Sequence, residues 1–164
     1  SPTMSEQQLR DSWDAIKRQE QEQKKGHTAP SILDNIPVGM APLLRAQKIQ
    51  KRCAKVGFDW PEVEPVIDKV KEEIEEVIEE LAKPSLDQNK IEEEIGDLLF
   101  AVVNLSRHLN VDSETAIRKA NTKFERRFRK VEAQLAQQGL GLEQVDFEKM
   151  EAAWQHVKQQ DQQK

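Results

Sequence analysis

Apolar residues recur every three to four positions through most of the chain, a helical period and not the two-residue alternation of a half-buried strand. In PLLRAQKIQKRCAKV, from Pro42 to about Val56, Leu44, Ile49, Cys53 and Val56 fall at near-helical spacing, with a proline tolerated in the first turn and Gly57 as a stop. GFDWPEVEP follows as a turn rich in aromatics and prolines, and Phe58 and Trp60 are expected in the core. A second helix is predicted from about Glu64 to Lys83, with Val66, Val70, Ile74, Val77 and Leu81 as its buried stripe and Pro84 and Ser85 ending it. A third runs from about Gln88 to Leu109 on Ile91, Ile95, Leu98, Val102, Leu105 and Leu109, with further apolar residues at Leu99, Phe100 and Val103. Asp112 can cap a fourth, whose stripe is Ala116, Ala120, Phe124, Phe128, Val131 and Leu135 and which ends at Gly139. A last helix carries Met150, Trp154 and Val157.

No alternating pattern of useful length is present, so the fold class is all-α: an antiparallel helical bundle whose core is the second, third and fourth of these helices. The apolar arc of the 88–109 helix is too wide for one partner, which predicts a homodimer or higher oligomer. Residues 1–30 read as peripheral, a polar helix-prone stretch followed by the linker GHTAPS, with residues 31–164 as the main domain. WDAIKRQEQ at Trp13 echoes WQHVKQQDQ at Trp154, the pattern expected if the first helix closes a preceding, similar module.

The 164 residues suffice for one domain with a real core. A net charge of -5 hides an uneven spread, with carboxylates crowded between Glu72 and Asp97 and a basic stretch from Arg118 to Lys130. Such asymmetry favours a site over a uniformly repulsive surface. The single Cys53 cannot form an internal disulfide, which points to a reducing, cytoplasmic setting and a structural thiol. No apolar run approaches the roughly 18 residues of a membrane span, so no membrane partner is expected. The basic stretch raises nucleic acid, but the chain is acidic overall and carries no recognised binding motif, so no nucleic-acid partner is expected either.

KVKEEIEEVIEE and IEEEIGDLLF hold the chemistry. At about 100° per residue, Glu73 and Glu76 share one flank of the second helix's stripe, and Glu94 and Asp97 one flank of the third's, with Asn104 further along. The short KPSLDQN connection makes the helices antiparallel neighbours, so the four carboxylates can converge, and they repel unless a cation sits between them. Oxygen-only ligation selects Mg²⁺ or Mn²⁺. A di-iron bundle would use Glu-x-x-His, and none of His27, His108 or His156 has Glu three positions before it. Gly96 interrupts the third helix at a cost of about 1 kcal/mol relative to Ala, which a close backbone approach or a metal shell would explain. For Glu72, Glu75, Glu79, Glu92 and Glu93 the alternative is a solvated, salt-bridged face.

Glu73-x-x-Glu76 followed by Glu94-x-x-Asp97 resembles the ExxE…ExxD signature of the MazG family of nucleoside triphosphate pyrophosphohydrolases. RAQKIQKRCAKVGFDW from Arg45, GDLLFAVVNLSRHL from Gly96 and KANTKFERRF from Lys119 also resemble bacterial MazG, and the likeness spans roughly Ile32 to Lys158. It specifically resembles the second, catalytically competent half of a two-module member. The resemblance implies Mg²⁺-dependent hydrolysis of nucleoside triphosphates to monophosphate and pyrophosphate on an all-α dimer. Glu73, Glu76, Glu94 and Asp97 would ligate the metal, and Glu72 would act behind them or as a base. It further implies phosphate contacts from Lys123 and Arg127, which are also four residues apart on one helical face, with Asn121 nearby. Asn104 would bond a phosphate or a metal-bound water, and Trp154 and Lys158 would reach the nucleotide, although Trp154 on spacing alone also fits a core position. His108 and Cys53 are read as structural. The rival is a helical interaction module whose acidic face serves a basic partner.

Overall fold

Helix-stop signals cut the chain where the polypeptide turns. The structure is a computed structural model that describes residues 5–25 and 29–163, so part of the expected linker, 26–28, lies outside the described residues. The elements are α1 (Glu6–Lys25), α2 (Pro42–Lys55), α3 (Glu64–Leu81), α4 (Gln88–His108), α5 (Ser113–Gln137), a 3₁₀ turn (Leu142–Gln144) and α6 (Phe147–Gln162). The all-α expectation holds, with boundaries within about two residues of those read from the sequence.

Local chemistry sets the ends. Pro42 opens α2, and Gly57 at φ 91° closes it: Gly57 N donates to Ala54 O at 3.0 Å and Phe58 N to Cys53 O at 3.0 Å. This is a Schellman-type cap, and it throws Phe58 clear of the helix. The Asp87 carboxylate accepts from Asn89 N and Lys90 N at the start of α4, and Asp146 accepts from Lys149 N at the start of α6. Asp112 makes no such backbone bond at α5 and instead accepts from the Thr115 hydroxyl at 2.7 Å.

Packing departs from the expected three-helix core. α3 pairs with α4, α5 pairs with α6, and α2 bridges α4 and α5. The buried apolar cluster lies between α5 and α6, on Val131, Leu135, Ala153 and Val157. Ala116, Ala120 and Phe124, expected in the stripe of α5, are exposed. On α3 the buried line is Val66, Glu73 and Glu80, so two glutamates at seven-residue spacing occupy the seam against α4. Ile74 and Leu81, expected to be buried, are exposed, as are Ile78 on α3 and Ile95, Leu99 and Val102 on α4. The physical reason is the width of the apolar arc. A helix apolar over more than one flank can rotate by one residue and give its polar seam to one neighbour while its second apolar face points outward.

Candidate active site

The acidic seam is built from adjacent turns of two helices. One carboxylate oxygen from each of Glu73, Glu76 and Glu94 lies within 4.8 Å of the other two. Glu73 is 5% exposed and Glu94 7%. In each, Oε2 is buried without a hydrogen-bond partner. Lys69 Nζ reaches Glu73 Oε1 at 3.2 Å and Glu72 Oε2 at 3.5 Å, while Lys90 Nζ lies 3.7 Å from Glu94 Oε1. Glu76 is left to share a hydrogen bond with Glu94, and that bond, followed by the charge of Glu73, lifts its carboxyl above the ordinary carboxylate range. The bond to Glu73 raises the Lys69 ammonium for the opposite reason, by favouring its charged form.

These are the marks of a site that fits a hard cation. Two buried carboxylates, each with one oxygen lacking a donor and both clustered with a third carboxylate, are costly alone and are satisfied by a cation that prefers oxygen ligands. Among the described residues, no His or Cys joins this cluster.

Asp97 stands one turn beyond Glu94 and is exposed, outside the three-carboxylate cluster. It lines an open cavity of about 810 Å³ shared with Lys69, Glu72, Glu73 and Asn104. Asn104 Oδ1 accepts from Arg107 Nε at 3.2 Å and Nη2 at 2.8 Å. Arg107 also holds Asp59, and His108 Nε2 lies 2.8 Å from the same carboxylate.

Other predicted site residues lie elsewhere in the single chain. None of Asn121, Lys123, Arg127, Trp154 and Lys158 lines the cavity. Asn121 and Lys123 are exposed on α5. Arg127 is engaged with Asp161 of α6, Nε to Oδ2 at 2.8 Å, and Arg126 and Lys130 join the same carboxylate. Trp154 leans on Phe124, with ring centroids 5.0 Å apart, and Lys158 is half-buried one turn further on.

Two expectations are corrected here. Phe58 and Trp60 are not core residues: they are 82% and 49% exposed, and both line the cavity. The aromatic turn follows a helix cap that faces the acidic seam, so the rings project over the opening and not into the α5–α6 core. A Cβ at Gly96 would meet nothing within 4 Å, so no close approach inside the chain accounts for that glycine. Lys69, Asp59, Gln50 and Arg107 also line the cavity and were not singled out from the sequence. The Asp between two aromatics after a stop glycine, and a Lys one turn before Glu73, were the only local signals they offered.

The fold and site define an all-α protein in which an antiparallel helical pair brings three carboxylates together, as a candidate cation site, beside an open cavity. Residues 62–132 match the MazG nucleotide pyrophosphohydrolase domain, and the chain carries a domain of the MazG family. It is 56% identical over 149 residues to a nucleoside triphosphate pyrophosphohydrolase of Escherichia coli (strain K12), covering 91% of this chain and 56% of that protein. It is 43% identical over 146 residues to a nucleoside triphosphate pyrophosphohydrolase/pyrophosphatase MazG of Thermotoga maritima, covering 89% of this chain and 54% of that protein. The uncharacterized protein YabN of Bacillus subtilis is 34% identical over 148 residues, covering 90% of this chain and 29% of that protein. The chain thus spans just over half the length of the first two relatives. Among the described residues no helix is long and apolar enough to cross a membrane.

Proposed function

We propose that the protein is a divalent-metal-dependent nucleoside triphosphate pyrophosphohydrolase, converting NTP or dNTP and water to the monophosphate and pyrophosphate. The observation that carries this reading is the pair of buried, unpartnered Oε2 atoms of Glu73 and Glu94, set against Glu76 beside a cavity that can take a nucleotide. The names of the E. coli and Thermotoga relatives support the same reaction.

Glu73, Glu76 and Glu94, with Asp97 from the cavity wall, are the residues to hold Mg²⁺, with Mn²⁺ as a substitute. When bound, the metal supplies charge neutralisation for the triphosphate and a Lewis acid for its oxygens. Glu72, exposed on the cavity edge, is placed to take a proton as the oxygen of water bonds to phosphorus and the bridging oxygen between the α- and β-phosphorus leaves. Asn104 faces the same space and can donate its amide N–H to a phosphate oxygen, because its carbonyl is already taken by Arg107.

Lys123, Arg127, Asn121, Trp154 and Lys158 enter this reading from a second copy of the chain. The exposed apolar face of α3 and α4 is what a homodimer or higher oligomer would cover. Basic α5 residues would then meet phosphates held at the other copy's acidic seam. A cytoplasmic setting is consistent with the lone free Cys53.

Incubation with each ribo- and deoxyribonucleoside triphosphate, with Mg²⁺ or EDTA, and separation of products by ion-exchange chromatography tests the reading. Metal-dependent monophosphate and pyrophosphate are expected, and no turnover of any triphosphate would refute it.

A further inference from the structure

α4 runs along the cavity like a ruler. Asp97, Ala101, Asn104 and Arg107 all line it, so their one face spans about 15 Å at a 1.5 Å rise per residue. One end of that span is the acidic seam, and the other is the Arg107–Asp59 pair under the aromatic turn. Between them the lining turns apolar, with Ile49 and Cys53 of α2 facing Ala101, and Phe58 and Trp60 leaving their rings uncovered at the opening. A triphosphate held at the acidic end would lay its nucleoside over this wall.

Within the wall, Gln50 is 6% exposed. Its Nε2 donates to the Phe100 carbonyl at 3.0 Å, and its Oε1 is buried with no partner. The amide cannot be turned over, since that would set its oxygen against the oxygen of Phe100. Gln50, which lines the cavity, therefore carries a buried acceptor of fixed identity in the wall, and an unmet buried acceptor is a liability unless a ligand meets it.

Resting on the function proposed above, we infer that this apolar arm is the nucleoside subsite, with Phe58 and Trp60 stacking on the base and Gln50 Oε1 accepting a hydrogen bond from a donor on the nucleoside. Gln50 is then a specificity-determining residue. The donor is either an amino group of the base or a sugar hydroxyl, since both present an N–H or O–H to an acceptor at this depth.

The test compares kcat/KM for ATP, purine riboside triphosphate, 2′-deoxy-ATP and 3′-deoxy-ATP in the wild type and in Gln50→Met, an apolar replacement of similar length. In the wild type, the analogue lacking the donor should lose about 10-fold or more. Loss with purine riboside triphosphate assigns the base amino group, and loss with either deoxy analogue assigns that hydroxyl. Gln50→Met should weaken ATP and bring it level with the impaired analogue, with KM carrying the change. Calorimetry with non-hydrolysable α,β-methylene analogues should repeat the ranking as Kd. If all four wild-type substrates are equivalent, or if Gln50→Met folds and keeps the wild-type ranking, the assignment is wrong. The wild-type comparison decides the matter even if the variant does not fold. Hydrolysis of no triphosphate at all would instead remove the underlying function, a distinguishable failure.

Discussion

Arg107 grips Asp59 with two bonds across 48 residues of sequence, Nη1 to Oδ2 at 3.0 Å and Nη2 to Oδ1 at 2.7 Å. This fork ties the aromatic turn after α2 to the last turn of α4 and so fixes the rim of the cavity. Both side chains are mostly sheltered, 14% and 25% exposed, so the pair is worth more than a surface ion pair. Arg107→Ala leaves Asp59 with only His108 and the Trp60 backbone N–H and should cost about 1–3 kcal/mol. At roughly 2–4 °C per kcal/mol for a chain of this size, calorimetry should show a clear fall in Tm. A double-mutant cycle with Asp59→Asn should return strong coupling, and additive losses would mean that the fork is incidental.

The same pair sets an acid limit. The hydrogen bond from Arg107 leads the forces that hold the Asp59 carboxyl down at about 2, against 3.8 for an unperturbed Asp. Between those values the unfolded chain binds more protons than the folded one, so stability rises with pH there. The contribution is fully present above pH 3.8 and is lost as pH falls through about 2. Urea titrations of wild type and Asp59→Asn should therefore differ most near neutrality and converge toward pH 2. A constant gap across that range would contradict the assignment.

At the acidic seam, stability and metal binding should move in opposite directions. Glu94→Gln removes one charge from three converging carboxylates, so the metal-free variant should melt no lower than wild type. Wild type with Mg²⁺ at about 100 times its Kd should gain about 2.7 kcal/mol, a gain the variant should lose along with turnover. An equal Mg²⁺ response in both proteins would remove Glu94 from the ligand set.

Much of this site is legible from the sequence and part of it cannot be. Glu73, Glu76 and Glu94 could be read because i, i+3 spacing and a short interhelical connection are local facts that force neighbouring turns together. What spacing did not fix was rotation. Glu73 and Glu80 sit in the seam where Ile74 and Leu81 were expected, because a helix with a wide apolar arc has two nearly equivalent ways to face its neighbour. Gln50 against Phe100, and Asp59 against Arg107, depend on tertiary contact between distant segments and leave no periodic trace. Phe58 and Trp60 were misplaced because an aromatic turn has the same sequence whether it fills a core or roofs a cavity.

Lys123 and Arg127, four residues apart and equivalent by sequence, should behave differently when changed. Arg127 shares the Asp161 carboxylate with Arg126 and Lys130, and its bond leads the forces that hold Asp161 far below the usual Asp range. Arg127→Ala should therefore lower Tm by loosening α6 as well as impair catalysis. Lys123 is exposed, so Lys123→Ala should raise KM or lower kcat with Tm unchanged. A Tm loss in Lys123→Ala without a kinetic effect would reverse the two roles.

The outward face of α3 and α4 makes the strongest demand on assembly. Ile74, Ile78 and Leu81 on one helix and Ile95, Leu99 and Val102 on the next are all more than 40% exposed or at that level in the single chain. Burying each such side chain fully is worth about 1.5–3 kcal/mol, and the chain's own packing leaves much of that unrealised. A second copy can realise it with a matching face, since a two-fold axis sets the same patch against itself. Light scattering at micromolar concentration should then give at least twice the chain mass. Ile78→Glu places a charge at half-exposed depth in the middle of the patch and should shift the protein to monomer. If Lys123 and Arg127 serve the other copy's triphosphate, turnover should fall with the dimer while the Mg²⁺ response of the acidic seam survives, because all of its carboxylates belong to one chain. A monomeric wild type with full activity would separate the apolar face from catalysis and return the basic residues of α5 to a structural role.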